Sequence, residues 1–291
     1  MNDSPDRKRK LYGRRKGPKL SAHQQQLLDR LLPQLQVKLR AGADPNAYFS
    51  PPPCGEVDPR SGSGGEPLQD IWLEIGFGGG EHLFWQAQHH PKVGIIGAEP
   101  FVNGVVKLLS KVVSQGPPSV SLALRSSSPP PPQAGEDMPS LAYPPPFTGE
   151  VDSSERSDDE SGGGNNIRIH TGDAREVIES LPDASLGRVF ILFPDPWPKT
   201  RHHKRRFVQM EMLDELSRVM KPGAELRFAS DDAGYVEWTL ERVLAHPSFE
   251  WTATRAADWK SRPSDWPPTR YEVKALHGPP VYLRFVRSDC A

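Results

Sequence analysis

The sequence is nearly without cysteine. Its two, Cys54 and Cys290, stand far apart, and no disulfide framework or zinc-ligand spacing can be built from them. Long apolar runs are missing too. None approaches the roughly 18 residues needed to span a bilayer, so no membrane partnership is expected. The first residues are charged, with no apolar stretch after them, which argues against a secretory signal and for a cytoplasmic location. Nor is there an overall excess of charge, the formal net value being −1 over 291 residues. Hydrophobic residues make up only 36%, a shortfall implying that part of the chain adds nothing to a core.

That part can be located. Of 32 prolines, 15 fall in two stretches, Pro51 to Pro67 and Pro117 to Pro146. The strings PPPCGEVD at 51–58 and PPPFTGEVD at 144–152 nearly repeat each other, and each leads into a Ser/Gly-rich tract. Such composition cannot bury enough apolar area to offset chain entropy. Residues 51–67 and 117–165 are therefore expected to be disordered insertions in one domain formed by 21–50, 68–116 and 166–288. Residues 117–166 carry net −6 and 51–67 net −2, leaving +7 on everything else. A near-neutral average thus hides a basic body, as a polyanionic partner requires. The densest basic run, RKRKLYGRRKGPKL, lies in an arm over residues 1–20. Taken alone, such a run is as readily a solvated tail as a nucleic-acid contact.

The remainder alternates. The apolar runs IWLEIG, VGIIGAE, IRIHTGD, RVFILFPD and AELRFASD read as strands, with helical segments at 81–90, 102–113, 174–180, 206–220 and 233–246. Leucines 27, 28, 31, 32, 35 and 39 add helical spacing at 21–39, despite Pro33. Strands apolar on both faces, alternating with helices, predict an α/β fold with a mostly parallel sheet covered on both sides. Two last runs, at 249–254 and 281–286, are expected to close it as an antiparallel edge.

Ligands of such sheets bind beyond the carboxyl ends of the strands. Five acids fall there in turn: Glu74, Glu99, Asp173, Asp195 and Asp231. One or two would be ordinary helix caps; five along one edge are harder to explain by capping alone. After Glu74 come Gly76, Gly78 and Gly80, alternating in a G-x-G-x-G loop. A dinucleotide fingerprint needs G-x-G-x-x-G, but the sixth place here is Glu81. An acid there would repel a pyrophosphate at the helix N-terminus. The loop suits a ligand without phosphate, and S-adenosylmethionine fits, since carboxylates favour its sulfonium and ammonium groups. Glu99 is expected on the ribose hydroxyls and Asp173 beside the adenine.

The string FPDPWPKTRHHKRR at 193–206 is more specific. Asp195 between two prolines makes a rigid loop after a strand. Trp197 offers a stacking face and Lys199 a charge. Arg201, His202, His203, Lys204, Arg205 and Arg206 form a basic run able to neutralise phosphates. A plain proline-stiffened turn with a solvated helix start also accounts for it. Cations at a helix N-terminus, however, oppose the macrodipole, and so odd a placement favours a functional explanation.

With LEIGFGGG (73–80), GAE (97–99), GDA (172–174), FPDPWPK (193–199), RHHKRR (201–206), SD (230–231) and TRYE (269–272), the chain resembles the bacterial tRNA (guanine-N7)-methyltransferase family. LYGRRKG at 11–17 is similar as well, so the resemblance covers essentially everything but the two insertions. TRYE departs from the commoner threonine-lysine-phenylalanine-glutamate form but keeps a base, an aromatic and the glutamate. The resemblance implies a class I methyltransferase-like (Rossmann-like) sheet of seven strands, S-adenosylmethionine as cofactor, tRNA as partner, no metal, and guanine 46 of the variable loop as target. It further implies that Glu74, Glu99, Asp173 and Asp195 serve the cofactor site, with Asp195 also catalytic. Lys199 and Asp231 are implied as substrate contacts, Thr269, Arg270, Tyr271 and Glu272 as completing that pocket, and residues 201–206 as the RNA-contact segment.

Two other readings stay open on residues alone. Methyltransferases of exocyclic amines usually carry two prolines between the acid or amide and the aromatic, whereas Asp195-Pro196-Trp197 has one. A non-catalytic RNA-binding module would not need an intact cofactor edge.

Overall fold

The structure, a computed structural model, describes residues 11–13, 17–49, 68–115, 166–274 and 276–288. The two stretches read as insertions and most of the basic arm lie outside the described residues. No helix among the described residues is long and apolar enough to cross a membrane.

A capping box opens the first helix: Gln24 N–H donates to Ser21 Oγ, and Ser21 N–H to Gln24 Oε1. The leucine-rich segment is two helices, α1 (Ala22–Arg30) and α2 (Leu32–Leu35). The chain then alternates through β1 (Asp70–Ile75), α3 (Glu81–His89), β2 (Val93–Ala98), α4 (Val102–Gln115), β3 (Ile167–His170), α5 (Ala174–Ser180) and β4 (Leu186–Leu192). It continues with α6 (Met210–Val219), β5 (Met220–Ser230), α7 (Ala233–Ala245), β6 (Phe249–Trp251), the short α8 (Ala257–Lys260) and α9 (Arg270–Lys274), and β7 (Val281–Arg287).

The strands form one seven-stranded sheet in the order β3-β2-β1-β4-β5-β7-β6. The first five are parallel, and β7 runs antiparallel to both β5 and β6. This is the class I methyltransferase-like arrangement, with the antiparallel edge where the last apolar runs led us to expect it. Alternation along each strand divides the core. Ile71, Leu73 and Ile75 join the buried cluster of α5, α6 and α7, while Trp72 joins that of α1 to α4. Both faces are covered, which is why the strands read as continuous apolar runs.

The segment expected as a helix over 206–220 is different. Thr200–Arg205 forms a 3-10 turn, and α6 starts only at Met210. The helix begins after the basic run, so those cations stay out of its first turn, where the dipole disfavours them. It ends at Val219 because Pro222 imposes extended backbone on Lys221, and β5 therefore starts at Met220, ahead of the expected 224.

Candidate active site

The loops leaving β1 to β4 surround a cavity of about 440 Å³. Gly76, Gly78, Glu99, Asp173, Asp195 and Tyr271 are on its wall. Gly76, Gly78 and Gly80 have φ of +71°, +55° and +71°, a left-handed zigzag that residues with a Cβ rarely adopt. Gly80 is also the N-cap of α3. The loop is tied to the next strand by Glu99: Gly78 N–H donates to Oε2 at 2.7 Å and Phe101 N–H to Oε1 at 2.8 Å. Burial raises the Glu99 pKa in spite of these two donors.

Glu74 is placed differently from expectation. It is 3% exposed, on the α3 side of β1, and its Oε2 lies 2.7 Å from Nδ1 of His82. It stands behind the glycine loop and does not reach the cavity wall. Asp173 performs two tasks at the wall. It caps α5 by accepting from Arg175 N–H at 3.1 Å, and the Arg175 guanidinium is forked onto its carboxylate.

After β4 the chain turns sharply. Phe193 and Trp197 have φ of +49° and +46°, a left-handed conformation whose cost in bulky residues is held in place by the surrounding structure. Asp195 lies between them. Its carboxyl keeps access to solvent through the cavity mouth, yet enough protein surrounds it for desolvation to raise its pKa.

The basic run that follows does not act as one surface. Lys199, Arg201 and Lys204 are exposed, and His202 is half-buried with its ring edge-on to Trp197. His203 turns inward against Trp238. Arg206, expected on the RNA, is 4% exposed. Its Nε donates to Pro196 O at 2.9 Å and its Nη1 to Gly234 O at 3.0 Å, with the guanidinium over Tyr235 and Trp238. Such an arginine has no free face for a phosphate; it clamps the Asp195 loop to the start of α7. Only Arg205 of the six lines the cavity.

Thr269 to Glu272 form a second capping box. Glu272 N–H donates to Thr269 Oγ1, and Thr269 N–H to Glu272 Oε2. Glu272 also accepts from Tyr282 Oη at 2.7 Å. Arg270 lies on the outer side of this turn over the Tyr271 ring, and Tyr271 alone of the four reaches the cavity, against Gly78. Asp231 does not reach it; its Oδ2 accepts from His277 N–H at 3.1 Å.

The residues of this edge match a family model described as a putative methyltransferase over 69–125 and 148–280. The chain is 42% identical to the tRNA (guanine-N(7)-)-methyltransferase of Rhodospirillum rubrum, over 99% of this chain and 91% of that protein. It is 43% identical to that of Caulobacter vibrioides, over 95% and 94%, and 39% identical to that of Azorhizobium caulinodans, over the same shares. The chain belongs to the tRNA (guanine-N(7)-)-methyltransferase family. Among solved structures, the 16S rRNA methyltransferase KamB aligns with a TM-score of 0.41 at 14% identity, over 76% of this chain and 89% of that one.

In this member of the family, two site residues escape a reading of the sequence. Tyr12, from the arm, lines the cavity beside Trp197, their ring centroids 6.3 Å apart. A tyrosine inside a basic run gives no signal of its own. Gly104 lets α4 approach the loop, since a Cβ there would strike the Gly78 carbonyl. Its signal is a glycine inside the apolar helix VNGVVKLL. The arm is fastened near that helix, Gly17 N–H donating to Asn103 Oδ1 at 2.8 Å and Asn103 Nδ2 to Pro18 O at 3.0 Å.

Proposed function

We propose that this protein transfers the methyl group of S-adenosylmethionine to N7 of a guanine in tRNA, position 46 of the variable loop by the family resemblance. The supporting observation is one cavity that joins Glu99, held by two backbone N–H groups, to Asp195 on a strained loop.

The residues suit the cofactor. Each Glu99 oxygen accepts one N–H and keeps a second acceptor position for a ribose hydroxyl. Asp173 stands at the next strand end for the adenine. The acids Glu99 and Asp173 next to the glycine loop favour a sulfonium over a phosphate. When bound, S-adenosylmethionine supplies an electrophilic methyl group.

Guanine N7 carries a lone pair and no proton, so no general base is needed. Asp195 accepts from the N–H groups of the base, orients it, and favours the positive charge that develops on the ring. Tyr271 and Trp197 offer faces for a base taken out of its stack. Exposed Lys199, Arg201 and Lys204 stand nearby for tRNA phosphates, with Asp231, Arg270 and the Thr269–Glu272 turn shaping the rim. The decisive experiment is methylation of unmodified tRNA with base mapping of the product. N7-methylguanine at position 46, lost when that guanine is replaced, is the expected result; product at another base or atom removes the reading.

A further inference from the structure

Arg205 differs from every other basic residue of its run. It lines the cavity, with its guanidinium carbon 4.7 Å from the Tyr12 ring centroid and 4.9 Å from that of Trp197. Its Nε is buried without a hydrogen-bond partner, and no carboxylate pairs with it among the described residues. The contrast with its neighbours is chemical. Arg206 is held by two carbonyls, and Arg175, the other arginine on the cavity wall, is forked onto Asp173. Among the described residues Arg205 is held by ring faces alone, which fix a planar cation while leaving its terminal N–H groups unengaged.

A guanine in this cavity presents both donors and an acceptor along its Watson–Crick edge. Its N1–H and exocyclic amine need acceptors, which Asp195 supplies. Its O6, next to N1, needs a donor. Adenine carries an amine at that place and would set donor against donor.

We propose that Arg205 is the specificity-determining residue that donates to O6 of the target guanine, with Tyr12 and Trp197 holding its guanidinium in place. The inference rests on the guanine-N7 reading and removes Arg205 from the set of phosphate contacts. A cation near a ring that is becoming positive opposes the reaction, and the Asp195 carboxylate on the same cavity offsets it. The gain is discrimination, because a buried donor left without its acceptor disfavours the wrong base.

The test uses the full chain and tRNA carrying either guanosine or 6-thioguanosine at the target. The thio base keeps N7, N1–H and the amine but replaces a strong acceptor with a weak one. Formation of the N7-methyl product is measured as kcat/KM, and tRNA affinity is titrated with salt. The unsubstituted protein is expected to favour guanosine by about tenfold, the worth of one charge-assisted hydrogen bond. In Arg205→Gln that preference should fall close to unity, with Arg205→Lys between, and the salt dependence of binding should stay unchanged. Tyr12→Ala, which removes one of the two rings and leaves Arg205 itself in place, should erase the same preference, and Tyr12→Phe should retain it. An unaltered preference with a salt slope flattened by about one unit would make Arg205 a phosphate contact and overturn the proposal. An unaltered preference and slope would overturn it equally. Failure of the unsubstituted protein to methylate N7 of the guanosine control overturns the functional reading, and this inference with it.

Discussion

At Glu99 each carboxylate oxygen takes one backbone N–H, so the side chain is fixed before any ligand arrives. Glu99→Ala should weaken S-adenosylmethionine binding by about 1–3 kcal/mol, the loss of charge-assisted hydrogen bonds. Unchanged affinity by calorimetry would remove Glu99 from the site. Asp195 carries a pH prediction. Burial raises its folded-state pKa, so transfer, which needs the carboxylate, should decline on the acid side at a pH above the usual aspartate range. The stability effect has the opposite sense. The folded form holds the proton more tightly than the unfolded chain, so stability falls as pH rises through that window. Asp195→Asn should therefore have a Tm no lower than the unsubstituted protein at neutral pH, and any advantage should vanish below the unfolded pKa. The same variant should lose about a hundredfold in single-turnover transfer while binding tRNA almost normally. A variant with a lowered Tm and full activity would contradict both statements. The places of Glu99, Asp173 and Asp195 on one cavity were legible because a strand end fixes where an acid stands. Arg205 and Arg206 were not separable, since they are adjacent on a 3-10 turn and only the Pro196 and Gly234 carbonyls decide which turns inward.

The short helix α9 shows how a cap can position a side chain on the cavity wall. Thr269 and Glu272 bond each other's backbone, and that turn carries Tyr271 to Gly78. Thr269→Ala should cost about 1 kcal/mol, seen as a Tm lower by about 2–4 °C, and should raise KM for tRNA as Tyr271 loses its support. A changed Tm with unchanged KM would confine the box to stability. In the sequence TRYE is read only as part of a substrate pocket, whereas T-x-x-E is also the spacing of a capping box, which needs the same residue types. The positions of α3, α4, α5 and α7 were legible from apolar spacing. The boundary between α6 and β5 was not, because Val219 and Met220 are both buried and apolar, and the break is imposed by Pro222.

Across the whole molecule, strand-helix alternation made the parallel half of the sheet legible. The place of β7 between β5 and β6 was not, since nothing local distinguishes a last strand that flanks its predecessor from one that inserts beside β5. The hidden positive charge makes a prediction at this scale. Arg201→Ala with Lys204→Ala, both exposed, should weaken binding of all tRNAs alike and flatten the salt slope by about two units. An unaltered slope would take that pair off the RNA. Replacing 117–165 with a short Gly/Ser linker should leave Tm and methyl transfer nearly unchanged, because closure cost varies slowly with length. The flanks are held independently: α4 packs along its buried face, and Asn166 Nδ2 donates to the carbonyls of Ala87, His90 and Val93. Collapse of folding on that replacement would show that the excised segment packs.

The antiparallel insertion of β7 sets an order of events during synthesis. The ribosome delivers β1 to β5 first, and each can pair as it emerges. The outer side of β5 then waits, its N–H and C=O groups open, until residues 281–287 leave the exit tunnel. β6 emerges earlier but pairs only with β7, so it waits as well. The Tyr282 hydroxyl that supports Glu272 arrives with the same strand. A nascent chain therefore owns the strand ends around the cavity before it owns a supported Thr269–Glu272 turn. A message broken between the codons for Ser230 and Val281 would release a polypeptide with a bare, pairing-competent strand, a natural target for quality control.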